Sequence, residues 1–236
     1  MRRQTILNLL RENGALDVDA VAARLGVSPN TIRNDFNALA AEGRLQRVRG
    51  GAAAISASPN GNPDYFSDSF ELRLQQRARQ KAMIGRWAAE LVDDGDSLLF
   101  DASTSGYVLA GFLKDRKNLT VVTNGVETAR RLARNPTNNI LLLGGLLRPD
   151  GVPVTGILTD QTLRDLRIKI AFVSAGSVTP EGALTEGDIR EAQMKTQMLE
   201  IAAQVVALID SSKFGRLGLA SFGHLDQARQ VYTDGD

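Results

Sequence analysis

The stretch VSPNTIRNDFNALAAEGRLQRVRGGA, residues 27–52, decides how the front of this chain folds. Ser28 followed by Pro29 is a helix opening: the serine hydroxyl caps a free amide, and proline suits the first helical position, where its missing N–H is not needed. Ile32, Phe36 and Leu39 recur at i, i+4 and i+7, the spacing of one buried helix face. Gly43 closes that helix, RLQRV alternates as a strand, RGG supplies a turn and AAAI returns as the partner strand. Toward the amino terminus, Val21 and Leu25 mark a preceding helix that Gly26 stops, and Ile6, Leu9 and Leu10 mark a first one that ends at Asn13-Gly14. Three short helices and a hairpin predict a small winged helix-turn-helix over residues 1–54.

Charge gives this head a purpose. The whole chain carries a formal net charge of only +1, yet residues 1–54 hold eight Lys/Arg against five Asp/Glu, and residues 55–236 hold twenty against twenty-two. Arg44, Arg47 and Arg49 fall within six residues that contain no acid, a pattern suited to a phosphate backbone. The third helix opens with Ser28 and carries Asn30, Thr31, Arg33 and Asn34. Arginine suits guanine and asparagine suits adenine in a major groove, while serine and threonine reach phosphates near a helix start. Arg47 and Arg49 would grip the backbone or enter a minor groove. The plainer reading, a polar face that docks another protein, does not account for core spacing, cap and arginine hairpin occurring together.

Beyond the head, SASPNGNP (56–63) has no periodicity to bury and reads as part of a linker over 55–68. SFELRLQQRARQKAMIGRWAAELV (69–92) reads as one helix with apolar positions Leu72, Leu74, Met83, Ile84, Trp87 and Leu91. The strand-like runs SLLF, LTVVT, NILLL, KIAFVSAG, QVVALID and QVYT then alternate with helical stretches. That order predicts an α/β domain with a mainly parallel sheet over 69–236. At 43% hydrophobic residues the chain can bury a sizeable core, and the absence of cysteine excludes disulfides, zinc–thiolate sites and cysteine nucleophiles. The first fourteen residues lack the apolar run of a signal peptide, and ILLLGGLL (140–147) is too short to span a bilayer. A cytoplasmic location is the expectation.

Strand ends are where an open parallel sheet binds its ligand. DASTS follows SLLF, and amides at the next helix start, with the hydroxyls of Ser103, Thr104 and Ser105, would bind a phosphate dianion. Thr123-Asn124-Gly125 and Gly144-Gly145 also follow strands, and Lys213 would supply counter-charge beyond Asp210-Ser211. Helix capping explains the hydroxyls alone, and a tight turn the double glycine alone; recurrence at successive strand ends favours a shared pocket. His224 has no second histidine or cysteine with which to hold a metal, and reads as a surface or packing residue. Neither G-x-G-x-x-G nor G-x-x-x-x-G-K-[ST] occurs, so the usual nucleotide cradles are missing and no cofactor is expected. Asp93, Asp94 and Asp96 read as a solvated helix end.

Residues 27–52 also resemble the amino-terminal signature of the DeoR family of bacterial transcription regulators, VSxxTIRRDLxxLxxxGxLxRxHGGA. Asn34 stands where a second arginine is usual, Phe36 replaces leucine and Arg49 replaces histidine, so the resemblance does not carry an operator sequence with it. FDASTS (100–105) is similar to the family's D-S-G-T-T loop, VVTNG (121–125) to VVTNS and LLGGLLR (142–148) to LLGGxxR. EAQMKTQM (191–198) and LIDSSKFG (208–215) are similar to EAxxKxxM and DSSKFG. The resemblance implies a sugar-phosphate-sensing domain with the fold of ribose-phosphate isomerases and coenzyme A transferases. It adds Asp101, Arg148, Glu191, Lys195 and Asp210 to the effector positions. Family members usually continue for a strand and helix past the segment resembling QVYTDGD, so the expectation is either a short sheet edge or a truncated chain.

The expected function is a repressor of a carbohydrate-catabolism operon that binds double-stranded operator DNA and is released by a phosphorylated sugar. Paired half-sites imply a homo-oligomer, a dimer or tetramer, held through residues beyond the linker. The alternative is an isomerase-like enzyme with Asp101 or Glu181 as proton shuttle and Lys213 on the phosphate, for which a DNA-reading head would be superfluous.

Overall fold

The structure is a computed structural model and describes residues 2–13, 15–42, 44–48, 50–53, 70–145 and 156–235. The chain divides into two compact units, residues 1–66 and 67–236.

In the first unit, α1 (Arg2–Asn13), β1 (Ala15–Asp17), α2 (Val18–Leu25) and α3 (Pro29–Ala41) lead into β2 (Gln46–Val48) and β3 (Gly51–Ala53). Local caps set the starts of α2 and α3. Asp17 accepts the amides of Asp19 and Ala20 ahead of α2, and the Ser28 hydroxyl accepts Thr31 N ahead of α3. Gly26 ends α2 in the left-handed region at φ 64°. Ile6, Leu10, Val21, Ile32, Phe36, Leu39 and Leu45 close one apolar core. The expected hairpin is part of a three-stranded antiparallel sheet in the order β1-β3-β2, because Ala15–Asp17 adds a strand that its three residues are too few to announce by alternation. Gly51 makes that addition possible: a Cβ there would stand 2.1 Å from the carbonyl oxygen of Leu16. Arg49, Gly43 and the linker 55–68 lie outside the described residues.

The second unit opens with α4 (Phe70–Gln75) and α5 (Ala78–Ala89). The single helix expected over 69–92 is therefore broken, and the break is at Arg77, a non-glycine residue at φ 53°. Alternating elements follow: β4 (Ser97–Phe100), α6 (Thr104–Phe112), β5 (Thr120–Thr123), α7 (Val126–Leu132), β6 (Asn139–Leu142), α8 (Ile157–Arg164) and β7 (Ile168–Val173). After them come β8 (Ser177–Val178), β9 (Ala183–Glu186), α9 (Ile189–Glu200), β10 (Ala202–Leu208), β11 (Ala220–His224) and β12 (Gln230–Tyr232). The six expected strands form one sheet in the order β12-β10-β7-β4-β5-β6, and its pairings are parallel. A small antiparallel sheet, β11-β9-β8, stands beside it and has no counterpart among the expected strands.

Strand alternation builds a three-layer core. Leu98, Phe100, Ile170 and Phe172 face α5 and α6 through Ile84, Ala88, Leu109 and Leu113. Leu99, Val122 and Ala171 face the other way, onto Leu163 of α8 and Met194 and Met198 of α9. The chain leaves β4 toward β5 and β6 on one side, then returns to β7 on the other. The carboxyl end of β4 is thus the topological switch point, where such sheets open a crevice.

One expectation is corrected. Asp96 is not a solvated helix end: it is 7% exposed, accepts Asp93 N and pairs with Lys169 at 2.6 Å. His224 fits its reading as a surface or packing residue: its Nε2 lies 2.7 Å from the Glu181 carbonyl and ties the start of the 225–227 turn to the loop before β9.

Candidate functional site

On α3 the buried face is Ile32, Asp35, Phe36 and Leu39. Opposite it, Asn30, Arg33, Asn34 and Asn37 are exposed at i, i+3, i+4 and i+7, so the face expected to read DNA is an uninterrupted polar stripe. Asn37 is an addition to the expected set, although its spacing from Asn30 and Arg33 is the signal that finds it. Ser28 and Thr31 share a hydrogen bond between hydroxyls at 2.9 Å, which engages both in capping. Arg47 is exposed on β2, with its guanidinium folded back to donate to the Gly51 carbonyl and 5.5 Å from the Phe36 ring.

Asp35, on the inner side of α3, holds the start of α1. Arg2 Nε and Arg3 Nε meet its two oxygens at 2.5 and 3.2 Å. The Arg2 hydrogen bond is the main reason that its carboxyl stays charged below the ordinary 3.8, with burial opposing and Arg3 assisting.

In the second unit the site is built around Asp101, directly after β4. Its side chain is fully buried; Oδ1 accepts Ser103 N at 3.2 Å, Oδ2 accepts Ser174 N at 2.8 Å, and Lys195 of α9 pairs with Oδ2 at 2.8 Å. Lys195 also donates to Glu186 Oε1 at 2.6 Å and to the Ser174 carbonyl at 2.8 Å, and its ammonium lies 5.2 Å from the Phe222 ring. Glu191, one turn earlier on α9, approaches to 3.9 Å. Burial alone would neutralise Lys195, but Asp101, Glu186 and Glu191 together push its pKa well up, so it stays charged.

A cationic side faces this cluster. Lys81 of α5 is 5% exposed and donates to the carbonyls of Arg73 and Gln76, the second at 2.8 Å. Lys213, in the turn after β10, is half-buried. Burial pulls both lysines down to about 8, with Asp210 opposing in each case. Arg73 of α4 acts on Lys81, Lys213 and Glu191 alike, and its Nε is buried without a hydrogen-bond partner among the described residues. Lys81, Arg73, Glu186 and Ser174 join the site only in the folded chain. Lys81 leaves a signal in the sequence, since it shares the core-facing side of its helix with Ile84 and Ala88.

The other expected positions divide. Ser103 Oγ caps α6 by accepting Gly106 N at 3.0 Å, while Thr104 and Ser105 are 6% and 3% exposed. Thr123 accepts Gly125 N and Asn124 donates to Met194 Sδ, both from buried positions beside the Asp101 loop. Asp210 is 2% exposed and accepts Ser212 N. Gly144 stands one strand further out, where its carbonyl accepts the Thr159 hydroxyl, and Gly145 follows at φ 152°. Arg148 lies outside the described residues. Among the described residues no three metal-ligating side chains group to hold an ion, and no helix is long and apolar enough to cross a membrane.

A helix-turn-helix unit is thus followed in the chain by a parallel α/β unit with a charged site at its strand ends. Residues 2–58 match the DeoR-like helix-turn-helix domain, and residues 76–235 match the DeoR C terminal sensor domain. The chain is 32% identical to the glycerol-3-phosphate regulon repressor of Haemophilus influenzae over 233 residues, 99% of this chain and 88% of that protein. It is 34% identical to the L-fucose operon activator of Escherichia coli over 234 residues, 99% of this chain and 94% of that one. Among solved structures it is similar to ribose 5 phosphate isomerase A from Neisseria gonorrhoeae, at 16% identity and a TM-score of 0.40, covering 58% of this chain and 54% of that one. The chain belongs to the DeoR family and is a DNA-binding transcriptional regulator. Membership across both units sets aside the isomerase-like alternative.

Proposed function

We propose that this regulator represses a carbohydrate-catabolism operon and leaves its operator when a phosphorylated sugar binds the crevice at the end of β4. The observation that carries the reading is the cationic trio Arg73, Lys81 and Lys213 beside the buried Asp101–Lys195 pair. A dianion entering there would relieve repulsion among three cations, and the buried Arg73 Nε would gain a partner. The Glu186 carboxylate on the other side suits a sugar hydroxyl, which donates a hydrogen bond to it. The phosphoryl group is thus assigned to the cations, with the amides at the start of α6 as further donors. Thr104 and Ser105, whose hydroxyls were expected to join them, lie buried in the first turn of the same helix.

The relatives' names, one a glycerol-3-phosphate regulon repressor and one an L-fucose operon activator, support control of carbohydrate genes. DNA contact is assigned to residues 1–54, with Arg33, Asn30, Asn34 and Asn37 toward the bases. A homo-oligomer assembled through the second unit would present two heads to paired half-sites, and the cytoplasm is where such a protein meets its DNA and metabolites. Effector binding would shift the population away from the DNA-competent state by its difference in affinity for the two.

The test is operator binding titrated with a panel of phosphorylated sugars, with a reporter under the native promoter to fix the sign. Release of DNA by one phosphorylated sugar and not by its free sugar is the expected result. Indifference to every phosphorylated sugar, together with no thermal shift, would overturn the effector assignment.

A further inference from the structure

Four ionisable side chains meet between β4, β9 and α9: Asp101, Glu186, Glu191 and Lys195. An ammonium has three donors, and those of Lys195 are engaged by Asp101 at 2.8 Å, Glu186 at 2.6 Å and the Ser174 carbonyl at 2.8 Å. Glu191 Oε1 stops at 3.9 Å from Lys195, beyond hydrogen-bond distance. One cation therefore already faces two carboxylates before Glu191 is counted. An ionised Glu191 would add a further negative charge to a cluster whose side chains Asp101, Lys195 and Glu186 are 0%, 3% and 6% exposed. Of the four, Glu191 is the one that solvent reaches most, at 16%, so it is the face that this cluster turns toward a ligand.

We propose that Glu191 meets the effector as a neutral acid: its carboxyl holds a proton and donates it in a hydrogen bond to an oxygen of the bound anion, so that binding takes up a proton. This rests on the reading of the crevice as an anion-effector site. An ionised Glu191 would repel a dianion, whereas the neutral acid gives it a donor, and the dianion in turn raises the affinity of Glu191 for its proton. The charged groups facing Glu191 are Glu186 from the end of β9, Asp101 from the end of β4, Arg73 from α4 and Lys195 along α9. Asp188, at the start of the same helix, accepts its backbone N–H at 3.4 Å. The balance favours the proton: burial and Glu186 push Glu191 up to about 7 against the opposing pull of Lys195 and Arg73, with Asp101 adding to the rise.

The sign of the pH dependence follows. Below neutrality Glu191 already holds its proton and adds no pH dependence of its own; above it, the proton must be drawn from solvent, and this contribution lowers affinity about tenfold per pH unit. Lys81 and Lys213, which titrate near 8, weaken binding in the same direction at higher pH, so the contribution of Glu191 has to be isolated by substitution. Glutamine is the neutral acid's closest substitute, with a donor at every pH.

The experiment is calorimetric titration of the full chain and of Glu191→Gln with sn-glycerol 3-phosphate and with inorganic phosphate, from pH 6.5 to 8.5, in two buffers of different ionisation enthalpy. The expected result is equal affinity at pH 6.5, about tenfold tighter binding by the variant at pH 8, and a smaller proton uptake by the variant. A variant that binds more weakly by one constant factor at all pH values, as a merely structural role would give, overturns the proposal; so does one that keeps the wild-type pH slope. A second measurement needs no ligand. In protein labelled with carboxyl-¹³C glutamate, the signal lost in Glu191→Gln should titrate near neutrality, and titration in the ordinary glutamate range overturns the proposal. Should neither phosphate compound bind the wild type at any pH, the site reading falls, and the carboxyl titration alone decides the state of Glu191.

Discussion

The ammonium of Lys195 lies 2.8 Å from the carboxylate of Asp101, with the two side chains 3% and 0% exposed. A helix late in the chain is thus bolted to the loop after the first strand of the sheet. Lys195→Met would leave Asp101 and Glu186 buried without their cation, and breaking such a pair costs about 3–5 kcal/mol. Urea denaturation followed by tryptophan fluorescence should show a loss of that order. A double variant, Lys195→Met with Asp101→Asn, should recover part of it, since one stranded charge is removed.

Lys213→Met and Lys81→Met should each weaken effector binding by about ten- to a hundredfold, the range for losing a charge-assisted hydrogen bond. Operator affinity without effector should stay at the wild-type level. Measured by DNA release, both variants become repressors that hold the operator at sugar-phosphate concentrations that free the wild type. Normal release by both would move the anion elsewhere.

Lys81 also makes a prediction about alkaline pH. Burial lowers its pKa from 10.5 to about 8, so the unfolded chain binds the extra proton between those values. Its contribution to stability therefore rises as pH climbs from about 8 toward 10.5. The stability of the wild type relative to Lys81→Met should increase across that window, and a parallel pair of curves would show that Lys81 is not desolvated.

Acid acts oppositely on Asp35, whose pKa is held below 3.8 chiefly by the Arg2 hydrogen bond. The stabilisation is fully present above the unfolded value and is lost as pH falls through the lower, folded one. Because Arg2 and Arg3 are 44% and 49% exposed, salt should screen part of the effect. Asp35→Asn should loosen α1 from α3, read as faster amide exchange in α1, and should flatten the acid limb.

On the DNA side, Arg33→Ala should relax base preference at one operator position and cost about 1–3 kcal/mol. Asn37→Ala should relax a neighbouring position, since both project from the exposed stripe of α3. Arg47→Ala differs in kind. Its guanidinium caps the Gly51 carbonyl and lies over Phe36, so the variant should lose about 0.5–1 kcal/mol of stability and weaken all DNA sequences alike. Competition binding against single-base operator variants separates the two patterns.

What was legible in the sequence is what chemistry writes over short distances. Ser28-Pro29, Gly26 and the Ile32, Phe36, Leu39 spacing set helix ends and faces through bonds within a turn or two, and the six parallel strands show as separate apolar runs for the same reason. Local signals also located Asp101, Asp210 and Lys213 at strand ends. They could not say which way the hydroxyls beyond β4 point: Ser103 caps, whereas the first turn of α6 carries Thr104 and Ser105 inward.

Only the tertiary structure decided the rest. Strand order follows from which sheet edge each crossover returns to, and that choice makes the end of β4 the switch point. Lys81 shares a helix face with Ile84 and Ala88, but only burial and the carbonyls of Arg73 and Gln76 give its charge a place. Lys195 required partners from the end of β4, from β9 and from the loop after β7, brought together by packing alone. Periodicity records which face of an element is buried; it carries no record of which charge from another element waits there, because that depends on the closing of the whole sheet.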